Sequence, residues 1–295
     1  MFDYLVSSFT IAGIYALMAL GLNLQAGTSG LLNFGHIAFA GLGAYATGIV
    51  AQAGGPLWLG AAIGIALAMA LGWCVARLGR QLGADYWGIA TLAVAEILRI
   101  LATNEGWLTG GANGITNIPS PFEGLPRPWS GVAFLAAVAL LVALAAWACS
   151  RLAGGRFGRA LRLMREEPRL AACMGYDLQS LKARDVMSGA ALTAIAGSLY
   201  AHYMSFAGPD YMLAAETFLL WTMVMIGGLG NIAGVLVGVV VVQAAHTLVP
   251  FAKDHFQFSS DTAGAMRIGL IGLILLACLL WRSEGLVPEK IRRIP

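Results

Sequence analysis

The chain has 295 residues, 59% of them hydrophobic and 11% charged, with a mean hydropathy of +0.76 and a formal net charge of +3. Soluble domains carry about 25% charged residues, so this composition excludes an ordinary soluble enzyme and indicates an all-α, polytopic membrane protein. The positive excess lies in loops beside apolar runs, where it reports topology rather than affinity for nucleic acid.

A helix needs about 20 apolar residues to cross lipid. About nine such runs (8–10, given soft ends) are expected. They cover Leu5–Leu24, Leu31–Ala51, Leu57–Leu78, Tyr86–Ala102, Val132–Cys149, Val186–Phe206, Thr217–Gly228, Ile232–Val249 and Ala263–Trp281. Together they form a single transmembrane domain over residues 1–295. The opening MFDYLVSSFT lacks the basic segment of a signal peptide, so its apolar run is expected to persist as the first span. The short run from Thr217 is expected to start nearer Leu213 or to be a broken helix.

Gly60 with Gly64, and Gly230 with Gly234 and Gly238, repeat at helical spacing and read as close helix packing. GLNLQAGTSGLLNFGH and GGLGNIAGVLVG add polar groups at Asn23, Gln25, Asn33, His36 and Asn231, a mixture that suits a broken helix or a cavity wall. Glu96 and Arg99 share a helix face inside a span, as a structural ion pair or as pathway groups. His202 and His246 stand alone and read as packing or hydrogen-bonding residues, and Arg267 as a snorkelling one. The segment 104–129, with Gly110, Gly111 and Gly114 and several prolines, fits ordinary turns or the docking of an extracytoplasmic partner.

Between two apolar runs stands Arg151–Asp185, with Arg151, Arg156, Arg159, Arg162, Arg165, Arg169, Lys182 and Arg184. At about 2.5 kcal/mol or more apiece, immersing these charges would cost roughly 20 kcal/mol, so the stretch lies outside the lipid. With this loop (151–184) cytoplasmic, the tail carrying Arg282, Lys290, Arg292 and Arg293 is also inside, as are Arg77 and Arg80. Segment 104–129 and Met1 then lie outside. Within the loop, Phe157–Arg165 predicts a basic amphipathic helix, Glu166-Glu167-Pro168 the start of another, and Gly175 a left-handed stop after Arg169–Met174. Such a short helix can seat in a groove on another protein or rest on anionic lipid, and composition leaves both open. Cys74, Cys149, Cys173 and Cys278 lack paired spacing, which argues against disulfides and zinc. No GxxxxGK[ST], HExxH or GxSxG occurs, so the chain is expected to be non-catalytic and free of cofactors, with any energy supplied by another subunit.

The ordered series GLNLQAGTSGLLNFGHIAFAGLGAY, DYWGIATLAVAEILR, TGGANGI, FGRALRLMREEPRLAACMGYD, VMIGGLGNIAGVLVG and WRSEGL resembles the LivM-type permeases of branched-chain amino acid ABC importers, from Gly21 to Leu286. That resemblance implies a multi-pass subunit of the bacterial inner membrane. It would pair with a related second permease as a heterodimer, two ATPase subunits and a periplasmic substrate-binding protein. It also makes Arg169–Gly175 the coupling segment, where such importers often show EAAxxxG; Ala171 and Gly175 fit, and Arg169 replaces the Glu. On this reading Arg159, Arg162, Arg165, Glu166, Glu167, Arg169, Ala171, Ala172 and Gly175 couple to the ATPase. Asn23, Gln25, Asn33, His36, Glu96 and Asn231 are pathway candidates, and Thr109, Gly110, Gly111 and Asn113 candidates for binding-protein contact. The implied cargo is branched-chain or other apolar amino acids, with urea, short amides and aromatic carboxylates as alternatives. From another class, an ion-driven secondary transporter fits the polar breaks but not the scarcity of intramembrane carboxylates, Glu96 and Glu216 being the candidates. A non-transporting membrane scaffold is a third class.

Overall fold

Lipid offers no hydrogen bonds, so an apolar run that enters it folds as a helix, which satisfies each backbone N–H and C=O internally. The computed structural model describes residues 2–124, 126, 128–256, 269, 272–278, 280–281 and 284–289. Its helices are α1 (Phe2–Asn23), α2 (Ile37–Gln52), α3 (Leu57–Leu78), α4 (Ala84–Asn104), α5 (Gly106–Thr109), α6 (Trp129–Gly154), α7 (Arg156–Glu166), α8 (Pro168–Cys173), α9 (Leu178–Met204), α10 (Ala214–Gly227) and α11 (Ile232–Phe256). Among the described residues, four stretches are long and apolar enough to cross a membrane by length and composition: Phe2–Ser29, Leu57–Leu78, Tyr86–Asn104 and Trp129–Gly154. The all-α, membrane-spanning class is therefore as expected. Of the last expected span, Ala263–Trp281, residues 269, 272–278, 280 and 281 are described and helical, and the rest lies outside the described residues.

Two expected spans are changed by breaks. Past Asn23 the first helix loosens into a π-helical turn, Leu24–Ser29, and ends at Gly30 with φ +72°. Leu31–His36 is not α-helical, so the second span begins at Ile37 rather than at Leu31. Here the chain passes close to α4: a Cβ on Gly35 would lie 2.0 Å from the Thr91 carbonyl oxygen. The seventh span begins at Ala214 and has 14 residues, about 20 Å, too short for a bilayer core of about 30 Å.

α9 is the central helix, packed on α1, α2 and α3. Its start is capped by Asp177, whose Oδ1 accepts from the Gln179 and Ser180 backbone N–H groups at 3.0 and 3.3 Å. The Ser180 hydroxyl also donates to this carboxylate, and these bonds hold it below the usual aspartate range. Small residues let the backbones close: Cβ atoms at Gly197 and Gly43 would sit 2.0 and 2.1 Å from the carbonyl oxygens of Ala40 and Ala194. Gly60 and Gly64 press likewise on α2, and Gly234 and Gly238 on α10. Gly230, expected on the same face, instead lies in the turn before α11 with φ +80°. The strands β1 (Ile115–Thr116) and β2 (Phe206–Ala207) pair antiparallel, clasping the end of α9 to the 104–129 segment.

Candidate functional site

The basic loop folds as two short helices that meet at Glu167, with Pro168 opening the second. α7 turns Ala160, Leu161 and Met164 inward, where they pack with Leu181 and with the half-buried Phe157 and Leu178. Arg156 and Arg159 face out, whereas Arg162 and Arg165 fall on the flank of the buried stripe and are drawn inward. Arg162 pairs with Glu289 at 3.2 Å, Arg165 pairs with Glu289 at 3.3 Å, and Arg165 also donates to the Gly27 carbonyl. These two arginines, expected to face a partner, therefore also make ion pairs within the chain while their side chains stay 35% and 26% exposed. The contact also puts the loop and the tail segment 284–289 on one side of the molecule.

α8 is different. Of Glu166–Asp177, only Ala171 is buried, against the body of the protein, while Leu170, Met174 and Tyr176 are 50%, 63% and 41% exposed. The helix closes as a Schellman motif, with Tyr176 N–H donating to Ala171 and Gly175 N–H to Ala172, at 3.1 and 3.0 Å. Gly175 has φ +84°, the left-handed conformation its sequence context predicts, and nothing lies within 4 Å of the place a Cβ would take. Arg169 and Ala172 are exposed with it, as are Glu166 and Glu167.

Two amides of the first break, Gln25 and Asn33, form a buried network, and the third, Asn23, bonds separately. Gln25 donates to the Val186 carbonyl at 3.2 Å and accepts from Asn33 at 2.9 Å, while Asn33 accepts from Gly35 N–H at 3.0 Å. Trp221 Nε1 donates to the Asn33 carbonyl, and Asn23 Oδ1 accepts from Gly230 N–H at 2.9 Å. His36 is fully buried, its Nε2 2.6 Å from Thr193 Oγ1 and 3.2 Å from the Met18 carbonyl. Two of these bonds, to the Gly35 N–H and the Asn33 carbonyl, satisfy backbone groups that lie in the break and have no helical partner there. Asn231 is separate: it caps α11, accepting from Ala233 and Gly234 N–H, and donates to Pro288.

On α4, Glu96 and Arg99 do form a bidentate ion pair, with Glu96 44% and Arg99 25% exposed. In the 104–129 segment Thr109 is buried, bonded to the Ala102 and Glu105 carbonyls, and Gly111 is buried beside it. Gly110 and Asn113 face out, near Trp107, which is 82% exposed.

Sequence reasoning missed several groups. Asp185, taken there as the end of the loop, is fully buried in α9 with its Oδ2 2.5 Å from Ser29 Oγ, and the same hydroxyl lies 2.7 Å from the Gln25 carbonyl, so its one proton is shared between the two acceptors. Its only cue was a lone carboxylate next to an apolar run. Glu216, weighed as an intramembrane carboxylate but not as a site residue, accepts from Tyr15 at 2.8 Å. No local signal joins those two.

A profile of the family described as branched-chain amino acid transport system / permease component matches residues 4–279. The chain is 30% identical to the high-affinity branched-chain amino acid transport system permease protein LivM of Escherichia coli K12, covering 95% of this chain and 69% of that one. A probable LivM of Methanocaldococcus jannaschii is 28% identical over 94% of this chain and 91% of its own. The LivH permease of Salmonella typhimurium is 26% identical over 90% of each. No solved structure matches.

Proposed function

Because this chain belongs to the family of branched-chain amino acid transport permease components, we propose that it is the membrane-spanning permease subunit of an ATP-driven importer of branched-chain or other apolar amino acids. It works in the bacterial inner membrane as one transmembrane domain, paired with a second, related permease. Two ATPase subunits power the assembly, coupled to this chain through the cytoplasmic loop 151–184, and a periplasmic binding protein delivers solute at segment 104–129. The observation that carries the reading is α8: a short helix held by Ala171 and a Schellman stop, offering Leu170, Met174 and Tyr176 to solvent on the arginine-rich side. Apolar groups on a polar loop suit a groove in a partner, and the rigid stop at Gly175 lets a push on the helix reach the spans. Its route inward is α7, whose Arg165 grips the broken segment at Gly27 and the tail at Glu289. Within this reading Arg159, Glu166, Glu167, Arg169, Ala172 and Gly175 are contact residues, and Arg162 and Arg165 transmit motion.

Glu96 and Arg99, an exposed ion pair inside a span, fit a wet or protein-covered surface better than lipid, which supports placing them at the path between the two permeases. Purification of the chain from its native membrane tests the proposal. Two ATPase subunits and a second permease should come with it, and proteoliposomes holding the assembly should accumulate labelled leucine only with ATP. Uptake driven by an ion gradient without ATP would select a secondary transporter; partner binding with no solute flux would select a scaffold.

A further inference from the structure

α10 is pinned at its C-terminal end to the arginine-rich side, where Val287 N–H donates to the Gly227 carbonyl at 3.0 Å. With about 1.5 Å of rise per residue, its first turn therefore stands some 17–20 Å from that end, within the apolar part of the chain. Glu216 is in that turn. It lines a cavity of about 40 Å³ with Tyr15, Met18, Ile37, Tyr200 and Tyr211. The Tyr15 hydroxyl donates to it, and the Tyr200 and Tyr211 rings meet edge to face at 4.7 Å.

Glu96 has Arg99, but among the described residues no Lys, Arg or His pairs with Glu216. A carboxylate there without a countercharge is costly. Among the described residues no group of three His, Cys, Asp or Glu side chains assembles a metal site either. Tyrosine rings and one carboxylate are instead the surroundings that hold an organic ammonium, by charge and by the ring faces. The volume fits: at about 10–15 Å³ per water the cavity has room for roughly three waters, comparable to an ammonium with its Cα, and Met18 and Ile37 continue the wall with apolar surface.

We propose that this cavity, between α1, α2, α9 and α10, is a solute subsite that receives the ammonium head of a permeating amino acid, with Glu216 as its counter-ion. The proposal rests on the importer reading and adds to it where in the chain the solute is recognised and by which of its groups. Because the space admits the head and not a whole branched side chain, the structure holds the site in a closed state, and α2 must part from α9 for full occupancy.

The full-length chain in lipid nanodiscs, without ATP or partners, carries the test, using Ala44→Cys, which stands in the same cavity wall. A small thiol reagent is added and labelling at residue 44 is read by mass, so the native cysteines do not interfere. Leucine should slow labelling about tenfold, a difference of about 1.4 kcal/mol in site occupancy. 4-Methylpentanoate, the same carbon body without the ammonium, should not slow it, nor should sodium chloride, and Glu216→Gln should abolish the protection. Equal protection by leucine and 4-methylpentanoate, protection by sodium, protection surviving Glu216→Gln, or no reaction at residue 44 would each overturn the proposal. The importer reading stands or falls separately, on ATP-driven uptake by the unmodified assembly.

Discussion

Ser29 and Asp185 show how much a single hydroxyl can matter where water is absent. Ser29 is the one described side chain within hydrogen-bond reach of this fully buried carboxyl group, whose Oδ1 has no partner among the described residues. Ser29→Ala should lower stability by about 1–3 kcal/mol, because the carboxylate loses its donor and cannot recruit water. Adding Asp185→Leu should return part of that loss; thermal unfolding in detergent, with both variants as unstable as each other, would show that the bond is not the cause. Glu96 and Arg99 make the contrasting case, since each has the other. Glu96→Gln should weaken assembly of the purified complex and Arg99→Gln on top of it should restore some, since the unpaired charge does the damage. If the double variant is the worst of the three, the two residues act independently.

At the scale of elements, two glycines separate packing from direction. Gly197 faces α2 so closely that a Cβ would stand 2.0 Å from a backbone oxygen. Gly197→Val should therefore force α2 and α9 apart and cost about 1–3 kcal/mol or more, seen as poor recovery of folded protein. Gly175 has open space around it and only its φ of +84° to defend. Gly175→Val should cost about 1–2 kcal/mol locally, reach the membrane at normal levels, and lose transport, because α8 would leave at a new angle. Full leucine uptake by Gly175→Val, with normal stimulation of ATP hydrolysis by loaded binding protein, would remove α8 from the coupling role.

For the whole molecule, the bonds from Arg162 and Arg165 to Glu289 make the basic loop and the tail neighbours, which agrees with the orientation drawn from the distribution of Arg and Lys. Native Cys173 is exposed on α8, and Glu123 is exposed in the 104–129 segment. A membrane-impermeant thiol reagent should therefore reach Cys173 only from the cytoplasm and Glu123→Cys only from the opposite face. Labelling of Cys173 from outside in intact cells would invert the topology and with it the placement of every proposed partner.

Sequence by itself determined what is local or additive. Apolar content sums along the chain, so the membrane class and four long apolar spans could be read directly. Pro168 and Gly175 act on their own backbone, so the helix, stop and turn of the basic loop could be read as well. The amides of GLNLQAGTSGLLNFGH announced a broken helix for the same reason: a polar side chain in lipid must find a bond. Which bond it finds is a different matter. Asn23 meets the backbone of a residue 207 positions away, Arg165 reaches back 138, and Tyr15 meets Glu216 across 201. Only the tertiary structure decided these pairings, and with them the inward turn of Arg162 and Arg165 and the existence of the Glu216 cavity. A residue's chemistry states that it needs a partner, whereas the packing of distant helices chooses which one comes within reach.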